Sequence, residues 1–543
     1  MMGVLFCACA SSGSGSGPGG GVGGNYGQTG CTNDPDCKQC SGCLALCVCT
    51  TGNEVQCKPA CGISGSGGSG GSGGGAPTGP LAAGLSISKI SVYQGVEIPI
   101  EKQGSAVGNR NAPVVQNRPA MLRVFVNPAS DFKSRDIIAQ LELSGEKAQQ
   151  IKKSVNAASA EGNLGSTFNF EVPGTAVKGD TKYAVSLLEA GGSGQGSTQG
   201  ARFPASGTQN LGAKSANGTF KVLLVPMVMN GIHPDTGAAR VQAYHDRLMQ
   251  LYPIANVEIN VRQAFNYGGT VSANGSGWSN ALQSLQSLRQ QDQNVPGTVY
   301  YYGVLTPTQS MQQYCGYGCV AGLGSVPGPN DVYQRGSIGL GFFPQGNSGG
   351  ASGDSQTTMA HELGHALGRN HAPCAPPGGQ LQGVDPGYPY NGGIIGSWGW
   401  DILGHQLKNL NQYKDMMGYC QPAWISDYNY SAIFSRISYV NSHGYIVPPP
   451  DAARAPGRFR VAIVEPDGSL EWGVPVGLDT PVMGELTDVT TVDASGHATG
   501  SVVGYYTAFA DLPGGQLFVR DSALSVDVHA IAVKKLSPAT LAL

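Results

Sequence analysis

The chain has 543 residues, with 32 Lys plus Arg against 35 Asp plus Glu and only 12% charged residues. A net charge of −3 leaves no basic face for nucleic acid and no acidic block for a charged tail, and no apolar run reaches the ~20 residues that a membrane-spanning helix requires. The length corresponds to about three to four domains, and 83 glycines with 34 prolines suit linkers and strand-rich domains better than long surface helices.

The first ten residues, MMGVLFCACA, are apolar without a basic start and resemble the end of an export signal that begins upstream. Cys7 or Cys9, followed by Ser11, Ser12 and Gly13, is a candidate lipid-modified cysteine of the bacterial lipoprotein kind, although Phe6 fits poorly before such a cysteine. Residues 1–30 thus read as a signal or lipoprotein remnant with a Gly/Ser tether. Cys31, Cys37, Cys40, Cys43, Cys47, Cys49, Cys57 and Cys61 then crowd residues 31–61. An even number of cysteines at this density, beside flexible linkers, points to a disulfide-stapled module in an exported, extracellular or cell-surface protein. The spacing of Cys37, Cys40, Cys43 and Cys47 also resembles the iron–sulfur run of bacterial ferredoxins. Val48 stands where that run has proline and no second run exists, which favours disulfides.

Residues 62–84 form a second Gly/Ser-rich linker. From Leu85, short β-branched or aromatic runs (Leu122 to Val126, Leu141 to Leu143, Phe168 to Val172, Tyr183 to Leu188) are separated by turn residues. This predicts an antiparallel β-sandwich over 85–215 with a spacing or binding role. The pattern changes at Phe220. Val222 to Val225 reads as a buried strand, and Val241, Tyr244, Leu248 and Leu251 keep helical spacing until Pro253. Val257 to Val261 alternates, Trp278, Leu282 and Leu285 mark a second helix, and Val299 to Leu305 is a third strand. Apolar runs near Val320 to Val326 and Ile338 to Phe343 follow. Strand–helix–strand–helix–strand implies a mostly parallel sheet with helices packed on it over 216–447.

Within that segment, residues 361–371 read H-E-x-x-H-x-x-G-x-x-H, a zinc-site pattern of metallopeptidases. Residues four apart share one helix face, so His361 and His365 can hold one ion. Glu362 is turned by roughly 100° from His361, the position of a general base beside the ion rather than of a ligand. Gly368 accepts the left-handed conformation that closes helices, which lets the chain bring back His371 as a third ligand. Three imidazoles leave a fourth position open, the condition for a catalytic rather than a structural zinc.

The extended motif, the strand–helix order before it and the turn Asp415-Met416-Met417-Gly418-Tyr419-Cys420 resemble the metzincin clan, which includes astacins, serralysins and reprolysins. The resemblance covers about residues 218–447. It implies one catalytic Zn2+ on His361, His365 and His371, Glu362 as general base and then acid, and Met417 as a hydrophobic floor. Tyr419 would be a switchable zinc or oxyanion ligand, or else a structural tyrosine. The implied activity is hydrolysis of internal bonds in a protein or peptide substrate, held antiparallel to a strand near Val320. Cys374, beside the third ligand, would pair with Cys420, beside the turn, and Cys315 would then pair with Cys319. The segment between His371 and Met417 matches none of the three named subfamilies, and its aromatics at Tyr388, Tyr390, Trp398 and Trp400 either line a pocket or pack the loop.

Ser426 or Asp427 caps a closing helix that carries Ile433, Phe434, Ile437 and Val440. Pro448 to Pro450 marks a boundary. Runs at Phe459 to Val464, Leu517 to Val519, Leu524 to Val528 and Ile531 to Val533, with turns at Pro466 to Gly468 and Pro513 to Gly515, predict a small β-sandwich over 448–543 that anchors substrate or caps its neighbour. The expected architecture is therefore multidomain: an α/β (α+β) catalytic domain flanked by β-sandwich domains, with a small disulfide-rich N-terminal module. A rival reading keeps the modules and drops the chemistry, leaving an anchored adhesion or binding protein with a degenerate peptidase core. Zinc content and casein digestion separate the two.

Overall fold

The computed structural model describes residues 79–191, 197–292, 294–316, 318–342, 354–375, 379, 381–443, 456–478 and 483–543, with three short strands at 5–8, 46–49 and 55–57. The disulfide module expected at 31–61 and the anchor candidates Cys7 and Cys9 lie outside the residues whose side chains are described. What is described is a mixed α/β, strand-rich fold with several sheets.

From Leu85, alternating apolar residues build two antiparallel sheets. One contains Leu85–Tyr93, Glu97–Lys102, Ala120–Pro128 and Phe168–Val172; the other contains Arg135–Leu143, Gln149–Val155 and Lys182–Glu189. Val124 and Phe170 of the first and Leu141 and Val185 of the second belong to one apolar core. That core continues through Phe220 and Tyr252 into the parallel sheet, so the sandwich shares its interior with the layer that follows.

The Arg118 guanidinium, fully buried, crosses the same junction. It donates to Gln94 O (3.2 Å), Ile254 O (2.6 Å) and Met249 O (2.6 Å). Burial pulls its pKa down, but the rigid fork of donors meets three carbonyls at once. Replacing Arg118 by Met keeps the apolar stem and removes all three bonds. The expected loss is about 3–5 kcal/mol of stability, checked by the urea midpoint.

The second layer comprises Phe220–Val228 (β1), Ala238–Leu251 (α1), Val257–Val261 (β2), Trp278–Gln291 (α2), Val299–Leu305 (β3), Gly322–Gly324 (β4), Gly336–Leu340 (β5), Ser355–Ala366 (α3) and Asp427–Ser442 (α4). Its sheet has the order β2-β1-β3-β5-β4. β1, β2, β3 and β5 are parallel, and β4 runs antiparallel along the edge. α3 buries Met359, Ala360, Leu363 and Ala366 in the core. Two hydroxyls fix its position: Tyr252 OH donates to Ala360 O (2.7 Å), and Tyr244 OH bonds Ser355 Oγ (2.5 Å). Asp354 caps α3 by accepting from Gln356 N, and Ser426 caps α4 by accepting from Asn429 N.

The C-terminal residues depart from the expected sandwich. They form one antiparallel sheet of Gly457–Val464 (β6), Leu470–Trp472 (β7), Val476–Leu478 (β8), Glu485–Val492 (β9), Ala498–Ala508 (β10), Gly515–Arg520 (β11), Ala530–Ala532 (β12) and Thr540–Ala542 (β13). The order is β7-β6-β11-β10-β9-β12-β13, with β8 also on β6. The sheet curls until its ends meet, where Trp472 Nε1 donates to Ala542 O (2.5 Å), giving a nearly closed barrel. Strand alternation does not distinguish one curled sheet from two facing ones. Here a bulge between Thr491 and Val492 supplies the bend, and Gly504 permits close packing where a Cβ would strike Leu517 and Val489.

The strand expected at Leu524 to Val528 does not form. A 3₁₀ turn at Asp521–Ala523 leads into a loop in which Val526 is 96% exposed. Its alternating pattern finds no partner strand among the described residues. Among the described residues no helix is long and apolar enough to cross a membrane.

Candidate metal centre

His361 and His365 lie one turn apart on α3. The helix closes with Leu367 N donating to Leu363 O and Gly368 N to His365 O. Gly368 then takes φ +81°, a conformation that strains any side chain with a Cβ. The chain reverses and His371 is pinned by His371 N to Gly383 O (3.0 Å) and Asp385 N to His371 O (2.8 Å). As a result the Nε2 atoms stand 2.9 Å (His361–His365), 3.1 Å (His365–His371) and 3.3 Å (His361–His371) apart.

The other ring nitrogens fix the tautomers. His361 Nδ1 meets Met416 O (2.7 Å), His365 Nδ1 meets Arg369 O (2.6 Å) and His371 Nδ1 meets Gln382 O (2.5 Å). A carbonyl only accepts, so each Nδ1 carries a proton, and in the neutral ring each Nε2 turns a lone pair toward the other two. Lone pairs at this spacing repel unless a cation lies between them. A tetrahedral ion bound at roughly 2.0–2.1 Å spaces its nitrogen ligands by about 3.3 Å. The three buried residues therefore fit a metal ion. Burial pushes the His365 imidazole down to about 4, which keeps it in the neutral form that ligation needs.

Met417 is fully buried with its sulfur against Gly364 of α3, where a Cβ would collide with it. Met417 thus keeps Gly364, an unspecified position of the motif, free of a side chain. Asp415 holds the turn: Met417 N (2.7 Å) and Asn429 Nδ2 (2.8 Å) donate to Oδ1, and Ser426 N (2.9 Å) donates to Oδ2. The same carboxylate thereby joins the Met417 turn to the cap of α4.

Ligand loop and turn are also tied to each other. Ala372 N donates to Met417 O (3.0 Å) and Tyr419 N to Cys374 O (2.8 Å). Cys374 is bonded to Cys420, and Cys315 to Cys319. The Cys374–Cys420 bond spans 46 residues. Replacing both cysteines by Ser is expected to cost about 4 kcal/mol by loop entropy, seen as a lower thermal midpoint under oxidising conditions.

Glu362 lies against β4, and Gly322 is free of a side chain where a Cβ would strike the Glu362 carboxylate. Burial first, and then the charge of Asp511, push the Glu362 carboxyl well above the usual range. Asp511 was not expected from the sequence. It belongs to the loop between β10 and β11, and its side chain is 7% exposed. Its Oδ1 stands 3.1 Å from His371 Nε2, 3.4 Å from His361 Nε2 and 3.6 Å from His365 Nε2. Tyr419 OH donates to the same oxygen at 2.8 Å. Burial and then Asp511 raise the tyrosine pKa, so its hydroxyl stays a donor.

No protein-family model and no curated protein matches this chain.

The four donor groups thus come from a helix, the loop after it and a barrel loop 140 residues further on. The aromatics of the segment before the turn pack it in place. Tyr388 OH donates to Ile394 O (2.8 Å), Tyr390 OH to Asp427 Oδ1 (2.7 Å), and Trp400 is buried edge-on to Tyr93. Space near the metal site is found elsewhere. A cavity of about 350 Å³ opens beside His365 and His371, walled by residues 326–328, 483–485 and 506–510.

Proposed function

We propose that this chain is an exported, zinc-dependent endopeptidase with a metzincin-like catalytic core, acting on protein or peptide substrates. One observation carries the reading: three buried Nε2 atoms converge within 3.3 Å, and a buried carboxylate follows the first of them on the same helix. The parallel strands with one antiparallel edge strand, Met417 packed against α3 and Tyr419 facing the rings support it. Three neutral imidazoles with room for one more ligand are the donor set of a catalytic zinc, whereas calcium and magnesium take oxygen ligands. Export is supported by 14 cysteines, four of them bonded in two pairs.

A zinc ion held there supplies Lewis acidity, which acidifies water and polarises a scissile carbonyl. Glu362 takes the proton of the attacking water and returns it to the leaving amine. Its place beside β4 puts it under an extended peptide paired to that edge. The Tyr419 hydroxyl, which now donates to a carboxylate oxygen, is placed to donate to the oxyanion of an attacked carbonyl.

The test incubates the zinc-loaded chain, and its Asp511→Ala variant, with a mixed peptide library and identifies products by mass spectrometry. Cleavage of internal bonds by at least one of them, lost on chelation and restored by zinc, is expected. Zinc bound at one per chain with no cleavage by either contradicts the reading.

A further inference from the structure

We propose that the barrel loop Phe509–Asp511 is an internal occupant of the metal centre: Asp511 serves as the fourth ligand, Phe509 and Ala510 fill the edge of β4, and the chain is latent until the loop withdraws. The latency, though not the ligation, rests on the peptidase reading above.

The ligand geometry comes first. Carboxylate oxygens bind zinc at roughly 2.0–2.2 Å, and an oxygen 3.1–3.6 Å from three converging nitrogens lies at the remaining corner of the same tetrahedron. Tyr419 OH orients that oxygen from the side, as outer hydrogen bonds do for metal-bound carboxylates.

The main chain gives a second, separate observation. One side of β4 is paired to β5. On its other side Ser325 forms an antiparallel bridge with Phe509, and Ala510 N donates to Gly324 O (2.9 Å). These are the groups an added peptide strand would use. A peptide cannot lie there while the loop does. The corner that water needs and the edge that substrate needs are filled by one segment, so a single movement frees both.

The barrel is held on the second layer by polar and apolar contacts, so the movement is one of the loop. α2 presents Asn280, Gln283 and Gln286, which bond Glu471 Oε1 (2.5 Å), Val474 N (3.0 Å) and Gln516 Nε2 (2.8 Å). Apolar contacts flank these amides: Tyr333 is buried edge-on to Phe518 among barrel residues and Ile463 joins the core around α2, so the barrel stays in place while the loop moves. Phe509 and Leu512, seated in the core around α2, are the apolar anchors that hold the loop down.

The experiment uses the full chain loaded with Co(II) as a spectroscopic substitute for zinc, titrated with acetohydroxamate, a small bidentate metal binder. It compares the parent chain with Asp511→Ala and with Ala510→Pro, which deletes the N–H given to Gly324 and keeps every metal donor. Because a site open only part of the time weakens binding by that fraction, both variants are expected to bind hydroxamate roughly tenfold or more tightly than the parent. Peptide cleavage by the zinc forms is expected to rise in the same order. Equal hydroxamate affinity in all three chains would overturn the proposal. Tighter hydroxamate binding with no cleavage by any chain would uphold the internal ligand and contradict the peptidase reading instead.

Discussion

Replacing Glu362 by Gln in the Asp511→Ala chain is expected to leave one metal ion bound and to lower peptide turnover by about 10²–10⁴-fold, the usual contribution of a positioned acid–base group. Glutamine keeps the shape of the side chain, so its contact with Gly322 and the closure of β4 over α3 should survive. It cannot accept a proton. No ring nitrogen of His361, His365 or His371 depends on Glu362: each Nδ1 is held by a backbone carbonyl. Metal content and turnover should therefore separate, with the first unchanged and the second lost. Turnover that persists in the double variant would assign the proton transfer to another group. A drop in metal content would mean that the carboxylate supports the ligands, which the hydrogen bonds of the site do not suggest.

Replacing His371 by Ala is expected to weaken zinc binding by more than the roughly 100-fold that loss of an outer-shell partner costs. Two of the ligands share a rigid helix, but His371 is delivered by a reversal that depends on Gly368 at φ +81° and on hydrogen bonds to Gln382 and Gly383. Without its ring only two nitrogens and the Asp511 carboxylate remain. Bound zinc at 100 times its dissociation constant stabilises a fold by about 2.7 kcal/mol, so the zinc-dependent rise in melting temperature should vanish in the variant. Equilibrium dialysis and thermal melts with and without zinc check both halves. Undiminished affinity would remove His371 from the site.

The parts of this fold and site that were legible in the sequence are those encoded over short distances. His361, His365 and Gly368 declare a helix face and its end by spacing alone, and His371 follows within one reversal. β1 to β3 and their helices were legible because apolar period switches between strand and helix at Phe220. The two disulfides in the described residues follow once the ligand loop and the turn are recognised as neighbours. What stayed hidden depends on long-range closure. Asp511 stands just before an ordinary Leu-Pro-Gly-Gly turn (512–515), and nothing within ten residues of it hints at a metal. Its position is set by where the barrel docks on α2, which no local pattern encodes. Asp415 was read only as the start of the turn, yet its two oxygens bind three donors on two elements. Leu524 to Val528 failed in the opposite sense: the alternation was present but, among the described residues, no strand lies alongside it. The C-terminal curl was missed because the curvature resides in one bulge and one glycine, not in the pattern of apolar residues.

The most direct test of the central claim is an anomalous difference map from crystals of the zinc-soaked chain, collected at the zinc absorption edge. A single strong peak within bonding distance of the Nε2 atoms of His361, His365 and His371 is expected. The three rings found apart, with no peak between them, would contradict the metal centre and the chemistry built on it.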